Sequence, residues 1–268
     1  MSSLRIGASS WSAPSWEGVF YPKGTLPAEY LPFYAAEFDT VEVDATFYRT
    51  PSSRMVDAWR ERTPPGFLFA AKVPQVITHE KLLADCAAEM NEFVTTMDRL
   101  GDKLGPLLFQ FRYFKESELP EPDPFLDRLE RFLPSLPDGH RFAVEVRNKS
   151  LITRRLLDIL SKHRIALALI DHPWFYRIDT MMMKTGVLTA DFVYLRWLGD
   201  RYKIEEQTKR WDRIIIDRSR EMEHWIAAIR KMLEQERSVY GYFNNHYAGY
   251  AVGSLRYFRD LWQQESSS

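Results

Sequence analysis

The segment TVEVDATFYRTP, residues 40–51, alternates like a half-buried β-strand but carries two carboxylates on one of its faces. Apolar side chains fall at Val41, Val43 and Ala45, and Glu42 and Asp44 stand between them. Successive side chains of a strand point to opposite sides, so the two acids share a face. A strand that is apolar on one side and acidic on the other predicts a sheet whose second side lines a polar interior.

Eight short runs of this kind occur along the chain, each rich in β-branched, leucine or aromatic residues and followed by polar, glycine or proline residues. They are LRIGAS (4–9), TVEVDATF (40–47), FLFAAKVP (67–74), GPLLFQF (105–111), RFAVEVRN (141–148), IALALID (165–171), DFVYLRWLG (191–199) and VYGYFNN (239–245). Segments with helical periodicity separate most of them: 26–38, 52–63, 82–104, 123–136, 150–163, 219–236 and 247–264. Segment 172–190 has no clear assignment.

Alternation of strands and helices is typical of parallel βα units, and eight units fit a chain of 268 residues;. An open doubly wound sheet is the alternative, but GASSWSAPSW after the first strand does not provide its G-x-G-x-x-G loop;. The sequence therefore predicts an α/β fold, a single (β/α)8 TIM-type barrel over residues 1–264. The remaining residues, 265–268, are expected to form a disordered tail.

Composition narrows the class of protein. Lys plus Arg is 36 and Asp plus Glu is 37, so no global charge favours nucleic acid or an anionic membrane as partner;. Three features predict a cytoplasmic protein. The chain has a single cysteine, Cys86, its start MSSLRIGASS lacks signal-peptide features, and it contains no apolar run of 20 residues;. A monomer or small homo-oligomer is expected, and nucleic acid has only weak support as a partner.

Polar side chains collect on the lumen side when the same alternation is applied to every strand. They are Glu42, Asp44, Thr46, Lys72, Gln110, Glu145, Arg147, Asp171, Tyr194, Arg196, Tyr242 and Asn244. Most stand late in their strands, which places them at the C-terminal mouth where TIM-barrel active sites lie. A nearly balanced ring of charges can be a structural network or a ligand pocket. Seven charges are more than packing needs, which favours the ligand pocket.

The chain also resembles a known family. The matching segments are IGASSWSAPSWEGVFYP (6–22), FDTVEVDATFYRTPS (38–52), TPPGFLFAAKVPQVITHEK (63–81), KLGPLLFQF (103–111), AVEVRN (143–148) and VYGYFNNHYAG (239–249). They are similar to the YecE-like proteins, the domain of unknown function 72 family. The resemblance implies a TIM-type barrel and no particular reaction.

By this resemblance the motif positions are Trp11, Glu42, Thr46, Phe47, Tyr48, Lys72, Thr78, His79, Gln110, Glu145, Arg147, Asp171, Arg196, Asn244 and Asn245. Two departures remove histidines that the family often has at the mouth. The chain has RNKSL (147–151) where the family resembles R-H-x-S-W, and RWLG (196–199) where it often shows R-x-H-G.

Three chemistries fit these residues. Glu42, Glu145, Asp171, His79, His172 and His246 could gather a divalent metal, but the interspersed cations would repel one, and we predict no metal site;. Glu42 and Glu145 could instead form an acid/base pair, with Trp11, Tyr48, Trp197 and Tyr242 as ring-stacking aromatics;.

Anion binding is the third chemistry and the one we favour. RWLGDRY (196–202) and NNHYAG (244–249) occupy the places of a barrel phosphate site, with glycines that allow close approach;. The last helix is expected just after Asn245, where its N–H groups would face an anion, although Asn245 could equally be a simple cap. Lys72, Arg147 and Arg196 would form a clamp.

The predicted function is an enzyme with hydrolase-like or isomerase-like acid/base chemistry on a small phosphorylated or carboxylated, sugar-like substrate, with no cofactor. The predicted catalytic residues are Glu42, Glu145, Asp171 and His79. The predicted substrate-binding residues are Trp11, Asp44, Tyr48, Lys72, Gln110, Arg147, Arg196, Tyr242, Asn244 and Asn245. The alternatives are a metal-dependent, nuclease-like or nucleic-acid-processing barrel and a non-catalytic ligand-binding barrel.

Overall fold

Eight parallel strands close into a barrel in the computed structural model of the chain, which describes residues 3–266. The strands are β1 (Leu4–Ala8), β2 (Thr40–Val43), β3 (Leu68–Lys72), β4 (Leu104–Gln110), β5 (Phe142–Glu145), β6 (Ala166–Asp171), β7 (Phe192–Trp197) and β8 (Ser238–Phe243). They pair in chain order, and β8 pairs with β1 over five residues. The predicted (β/α)8 TIM-type barrel is confirmed.

Helices lie outside the strands. They are α1 (Pro27–Glu37), α2 (Ser53–Glu61), α3 (Ala87–Met97), α4 (Asp123–Phe132), α5 (Arg154–Lys162), α6 (Ile178–Met182), α7 (Arg201–Gln207), α8 (Ser219–Glu234) and α9 (Ala251–Ser266). Single 3-10 turns join several elements, and Val76–Glu80 forms a π-helical turn after β3. None of the helices among residues 3–266 is long and apolar enough to cross a membrane.

The lower lumen is filled by large rings from one side and small residues from the other. β7 and β8 contribute the aromatic rings Phe192, Tyr194, Tyr240 and Tyr242. β3, β5 and β6 face them with the alanines Ala70, Ala143, Ala166 and Ala168. Large side chains opposite small ones fill the lumen without voids, so the barrel has a packed core below its polar upper layer.

Strands β1 and β2 are paired through one pair of residues, Ala8 and Val41, and a side chain of α1 adds a further connection between them. The Tyr34 hydroxyl accepts a hydrogen bond from Ala8 N at 2.8 Å and donates one to Thr40 O at 3.0 Å. Burial raises the pKa of Tyr34 far above its usual value, so the hydroxyl keeps the proton it donates;. One buried phenol thus joins the two strands that close the barrel.

Several predicted boundaries differ from those of the structure. β2 ends at Val43, because residues 44–47 turn into a 3-10 helix. The helix predicted over 82–104 begins only at Ala87, since Leu82, Leu83 and Asp85 have positive φ angles. At the chain end, α9 includes residues 265 and 266, which were assigned to the disordered tail, and residues 267 and 268 lie outside the described residues.

The lumen parity was predicted for β2 to β8, and it is confirmed for six of these strands and wrong for β6. Ala168 pairs with Tyr194 and Ile170 with Arg196, so the even-numbered residues of β6 face the lumen. Asp171 therefore faces outward, where its Oδ2 accepts a hydrogen bond from Trp225 Nε1 of α8 at 2.7 Å. The segment IALALID is apolar on both faces, so its sequence has no alternation from which the phase could be read.

Substitution of Gly7 by alanine should weaken the β1–β2 seam. A Cβ at Gly7 would lie 2.2 Å from Thr40 O, and this backbone atom cannot rotate away. We expect Gly7→Ala to lower the free energy of unfolding by about 3 kcal/mol. Urea denaturation followed by circular dichroism measures this loss.

Gly139→Ala is the matched control. Gly139 has a φ of +84° and nothing within 4 Å of an added Cβ, so its substitution should cost only about 1 kcal/mol of backbone strain;. Equal losses in the two variants would show that the tight β1–β2 contact does not limit stability.

Candidate functional site

A buried ion network crosses the upper lumen, centred on Arg196 of β7. Its Nη2 donates to Glu42 Oε1 at 2.8 Å, and its Nη1 donates to Glu145 Oε2 at 2.6 Å and to Gln110 Oε1 at 2.9 Å. The Tyr194 hydroxyl donates to the second oxygen of Glu42 at 2.7 Å. The guanidinium is 1% exposed and both carboxylates are 0% exposed. We call these five residues the lumen network.

Arg147 extends the lumen network toward solvent. Its Nε donates to Glu145 Oε1 at 2.9 Å, and its side chain is 31% exposed. Glu145 is thus held between two guanidiniums. Burial disfavours its ionisation, but the positive charges of Arg196 and Arg147 outweigh burial and lower the pKa of Glu145 to about 2;. The carboxylate is ionised throughout the neutral range.

Lys72 and Asp44 form a second ion pair beside the lumen network. The Lys72 side chain is 8% exposed, whereas that of Asp44 is 41% exposed because it lies on the 3-10 turn after β2. Burial lowers the pKa of Lys72, the charge of Arg196 lowers it further, and Glu42 and Asp44 act in the opposite direction. Three carboxylates thus balance the three cations Lys72, Arg147 and Arg196.

A cavity of about 720 Å³ opens above Arg147, between the loops that follow β4, β5, β6 and β7. We call it the mouth cavity, and the residues that line it are Tyr113, Arg147, Asn148, Lys149, Ser150, His172, Trp174 and Tyr202. Arg147 thus belongs both to the ion pair with Glu145 and to the cavity wall. Only its Nε has a hydrogen-bond partner among residues 3–266. Its two terminal nitrogens remain available to a ligand.

Two imidazoles near this mouth are held neutral. Burial lowers the pKa of His172, and the charge of Arg147 lowers it further. Its Nδ1 accepts from Trp174 N at 3.3 Å, which leaves the ring proton on Nε2;. Burial and the charges of Arg112, Arg147 and Lys72 lower the pKa of His79 to about 4. Both rings are neutral at pH 7, so each has one nitrogen that carries a proton and one that accepts a hydrogen bond or a proton;.

Several predicted ligand contacts have other partners instead. Trp11 packs edge-on against Trp59 and Phe69, on the helix side of β3. Tyr242 is fully buried in the lumen, with its hydroxyl 3.0 Å from Thr40 Oγ1. Asn244 accepts from His246 N at 2.9 Å, and Asn245 accepts from Ala251 N at 3.0 Å, so both are helix caps. Tyr48 is 67% exposed and does not line the mouth cavity.

The phosphate site predicted at the loops after β7 and β8 is not formed as expected. α9 starts at Ala251 rather than just after Asn245, and its first N–H already bonds to that asparagine. A Cβ at Gly199 would lie 2.3 Å from His246 O, so this glycine serves the packing of two loops. Both terminal nitrogens of Arg196 bond within the lumen network, and the clamp predicted for it is not supported by its position.

The residues missed by the sequence analysis lie in loops or on the first turn of α7. Tyr113, Trp174 and Tyr202 are 62%, 65% and 68% exposed, and all three line the mouth cavity. Alternation assigns side chains only within strands, so it gave no position for these three. The sequence feature that could have indicated these three residues is their aromatic side chain, because exposed aromatic residues near strand ends often belong to binding sites.

Removal of Arg196 should destabilise the protein strongly. Arg196→Met leaves Glu42 and Glu145 buried without their common partner, and such uncompensated charges cost about 3–5 kcal/mol. Chemical denaturation at pH 7 measures the change in the free energy of unfolding.

Arg155→Met is the matched control, because Arg155 also bonds to several carboxylates, Asp123, Asp127 and Glu130, but is 38% exposed. Its loss should cost at most about 1 kcal/mol. Similar losses in the two variants would contradict the special role of the buried network.

The depressed pKa of Glu145 predicts a defined acid sensitivity. A carboxylate whose pKa is lower in the folded state stabilises the fold above its unfolded pKa, and this contribution is lost as pH falls to about 2;. The free energy of unfolding should therefore fall between about pH 4.5 and pH 2, at up to about 1.4 kcal/mol per pH unit from this group. Urea titrations across this range should give a smaller slope for Glu145→Gln than for the unchanged protein. Equal slopes would refute the assignment.

Comparison with known proteins agrees with the barrel. The chain is 33% identical over 152 residues to the UPF0759 protein YecE of Escherichia coli K12, a match that covers 56% of this chain and 51% of that protein. The chain thus spans about half the length of this curated relative.

Two solved structures of DUF72 family proteins share the whole fold. The protein from Thermotoga maritima has a TM-score of 0.75 at 24% identity and covers 99% of this chain and 100% of its own. The protein from Enterococcus faecalis has a TM-score of 0.74 at 20% identity and covers 97% of this chain and 95% of its own. The family model for "Protein of unknown function DUF72" matches residues 5–268, so the resemblance noted in the sequence is confirmed and the chain belongs to the DUF72 family.

Proposed function

We propose that this protein is a cytoplasmic enzyme that acts on a small phosphorylated or carboxylated compound bound in the mouth cavity. The observation that supports this most directly is the position of Arg147. Its Nε is fixed by the ionised Glu145, and its terminal nitrogens border a cavity of about 720 Å³. A preoriented guanidinium at the base of a cavity suits two-point recognition of a phosphate or carboxylate.

The charges around the cavity also favour an anion. Lys149 lines it as well, with its Nζ 5.2 Å from the centre of the Tyr176 ring and no carboxylate partner among residues 3–266. No Asp or Glu is among the described residues of the lining. The mouth cavity is therefore positive although the chain as a whole is near neutral, and electric field lines concentrate in such a cleft.

The group best placed for proton transfer is His172. It is neutral at pH 7, it lines the cavity, and its proton is on Nε2. Glu42 and Glu145, predicted as the acid/base pair, are 0% exposed, and Glu145 is too strongly ionised to donate a proton. A general acid or base must reach the reacting group, so exposure favours His172 over both carboxylates.

The alternatives have less support. Within residues 3–266, no group of three or more His, Cys, Asp or Glu is arranged to hold a metal ion, so these residues do not favour a metal-dependent nuclease. A non-catalytic binding barrel would use the same cavity and differs from our proposal only in turnover.

A ligand screen tests the binding step. We expect phosphate, citrate or small phosphorylated compounds to raise the melting temperature of the protein, because they bind only the folded state. Arg147→Gln should weaken this binding about tenfold or more, since a hydrogen bond to a charged group contributes about 1.5–3 kcal/mol. Isothermal titration calorimetry with the best ligand measures the change.

Arg154→Gln is the control for charge, because Arg154 is 69% exposed, pairs among the described residues with Asp158 alone and does not line the cavity. Equal affinity of the Arg147 and Arg154 variants would rule out the mouth cavity as the anion site. For catalysis, NMR spectra of substrate mixtures should show turnover that His172→Gln abolishes while ligand affinity stays within a factor of a few. Binding without turnover across the screen would favour the non-catalytic alternative.

A further inference from the structure

The rim of the mouth cavity exposes more aromatic surface than packing needs. Trp174 and Tyr202 come from the loops after β6 and β7, with ring centroids 6.2 Å apart and an interplanar angle of 31°. Tyr113 comes from the loop after β4 and lines the same cavity. All three are more than 60% exposed. Large aromatic side chains are seldom left to solvent together unless they contact a ligand or partner.

Trp174 is held in place by its loop. Its backbone N–H donates to His172 Nδ1 at 3.3 Å, and its ring meets the His172 ring edge to face at 5.4 Å. Tyr202 is on the first turn of α7, which Asp200 caps by accepting from Lys203 N at 3.1 Å. The two rings thus sit on anchored backbone, and a ligand ring would need little rearrangement to stack on them.

The polar groups of the lining are poorly suited to a sugar ring. Carboxylates and free amides are the usual partners of vicinal hydroxyl groups, and the described lining contains no carboxylate;. Its amide, Asn148, has both ends occupied, because Nδ2 donates to Phe114 O at 2.8 Å and Oδ1 accepts from Phe114 N at 2.9 Å. Apart from the Ser150 hydroxyl, what remains of the lining is cationic or aromatic.

We propose that the ligand of the mouth cavity carries a planar aromatic ring as well as its anionic group, as a nucleoside monophosphate does. The ring stacks on Trp174 with Tyr202 beside it, and the phosphate meets Arg147 and Lys149. This inference rests on the proposed function for the place of the anion and changes the expected substrate class from sugar-like to aromatic. The cavity volume lies within the range of about 300–1,000 Å³ that small-molecule sites have;.

Affinities for three probes separate the ring from the anion. We expect AMP to bind more tightly than ribose 5-phosphate, and ribose 5-phosphate to bind about as tightly as inorganic phosphate. Stacking of a base on an aromatic side chain contributes about 1–3 kcal/mol. Trp174→Ala should therefore weaken AMP binding about 5- to 150-fold and leave ribose 5-phosphate unchanged. Trp174→Phe should restore most of the preference.

Tyr202→Ala should reduce the AMP preference in the same direction, and Tyr257→Ala, which removes a partly exposed tyrosine of α9 outside the cavity, should not. Calorimetry on the full chain measures every dissociation constant. Ribose 5-phosphate binding as tightly as AMP, or equal losses for both ligands in Trp174→Ala, would overturn the inference and leave the anion site intact. Failure of all three probes to bind would overturn the proposed function together with this inference.

Discussion

The burial of one guanidinium between two carboxylates is the constraint on which the upper half of this barrel depends. Arg196 reaches Glu42 of β2 and Glu145 of β5, so a single side chain from β7 ties together strands on opposite parts of the wall. A charge removed from water costs several kcal/mol unless its partners are placed well. Here Glu42, Glu145 and Gln110 supply those partners, although Arg196 Nε has none among the described residues. The barrel therefore accepts these charges only with all three strands in their observed register.

This constraint also explains the outward reach of Arg147. With one oxygen of Glu145 occupied by Arg196, the other is free to accept from Arg147 Nε. The guanidinium of Arg147 is thereby held by one edge, and its remaining nitrogens face the mouth cavity. The same ionised carboxylate thus bonds to Arg196 in the lumen network below and fixes Arg147 at the mouth cavity above. At this level of the barrel a buried ion network can fix the orientation of a partly exposed charge such as Arg147, which an apolar core cannot do.

The lumen residues could be predicted because alternation within a strand is a property of the backbone. Glu42 and Glu145 each stand between apolar neighbours that must face the helices, and the structure places both as expected. Asp171 could not be placed in the same way, since β6 is apolar on both faces and shows no alternation that fixes its phase;. Alternation placed Arg147 at the mouth but could not predict the aromatic rim of the mouth cavity. Trp174 and Tyr202 acquire their positions from a histidine contact and a helix cap, which depend on folded loops rather than on periodicity.

The separation of buried and exposed charge has a consequence for any chemistry at this mouth. Glu145 of the lumen network stays ionised at neutral pH, because the charges of Arg196 and Arg147 lower its pKa to about 2. Both carboxylates of the network are also 0% exposed, so the proton transfer that we propose falls to His172, whose imidazole burial and Arg147 keep neutral. Arg147 belongs to both systems, since it stabilises Glu145 and lowers the pKa of His172. An anion bound to Arg147 would offset part of that positive charge and raise the pKa of His172, so ligand binding and the protonation of the imidazole are linked through one side chain.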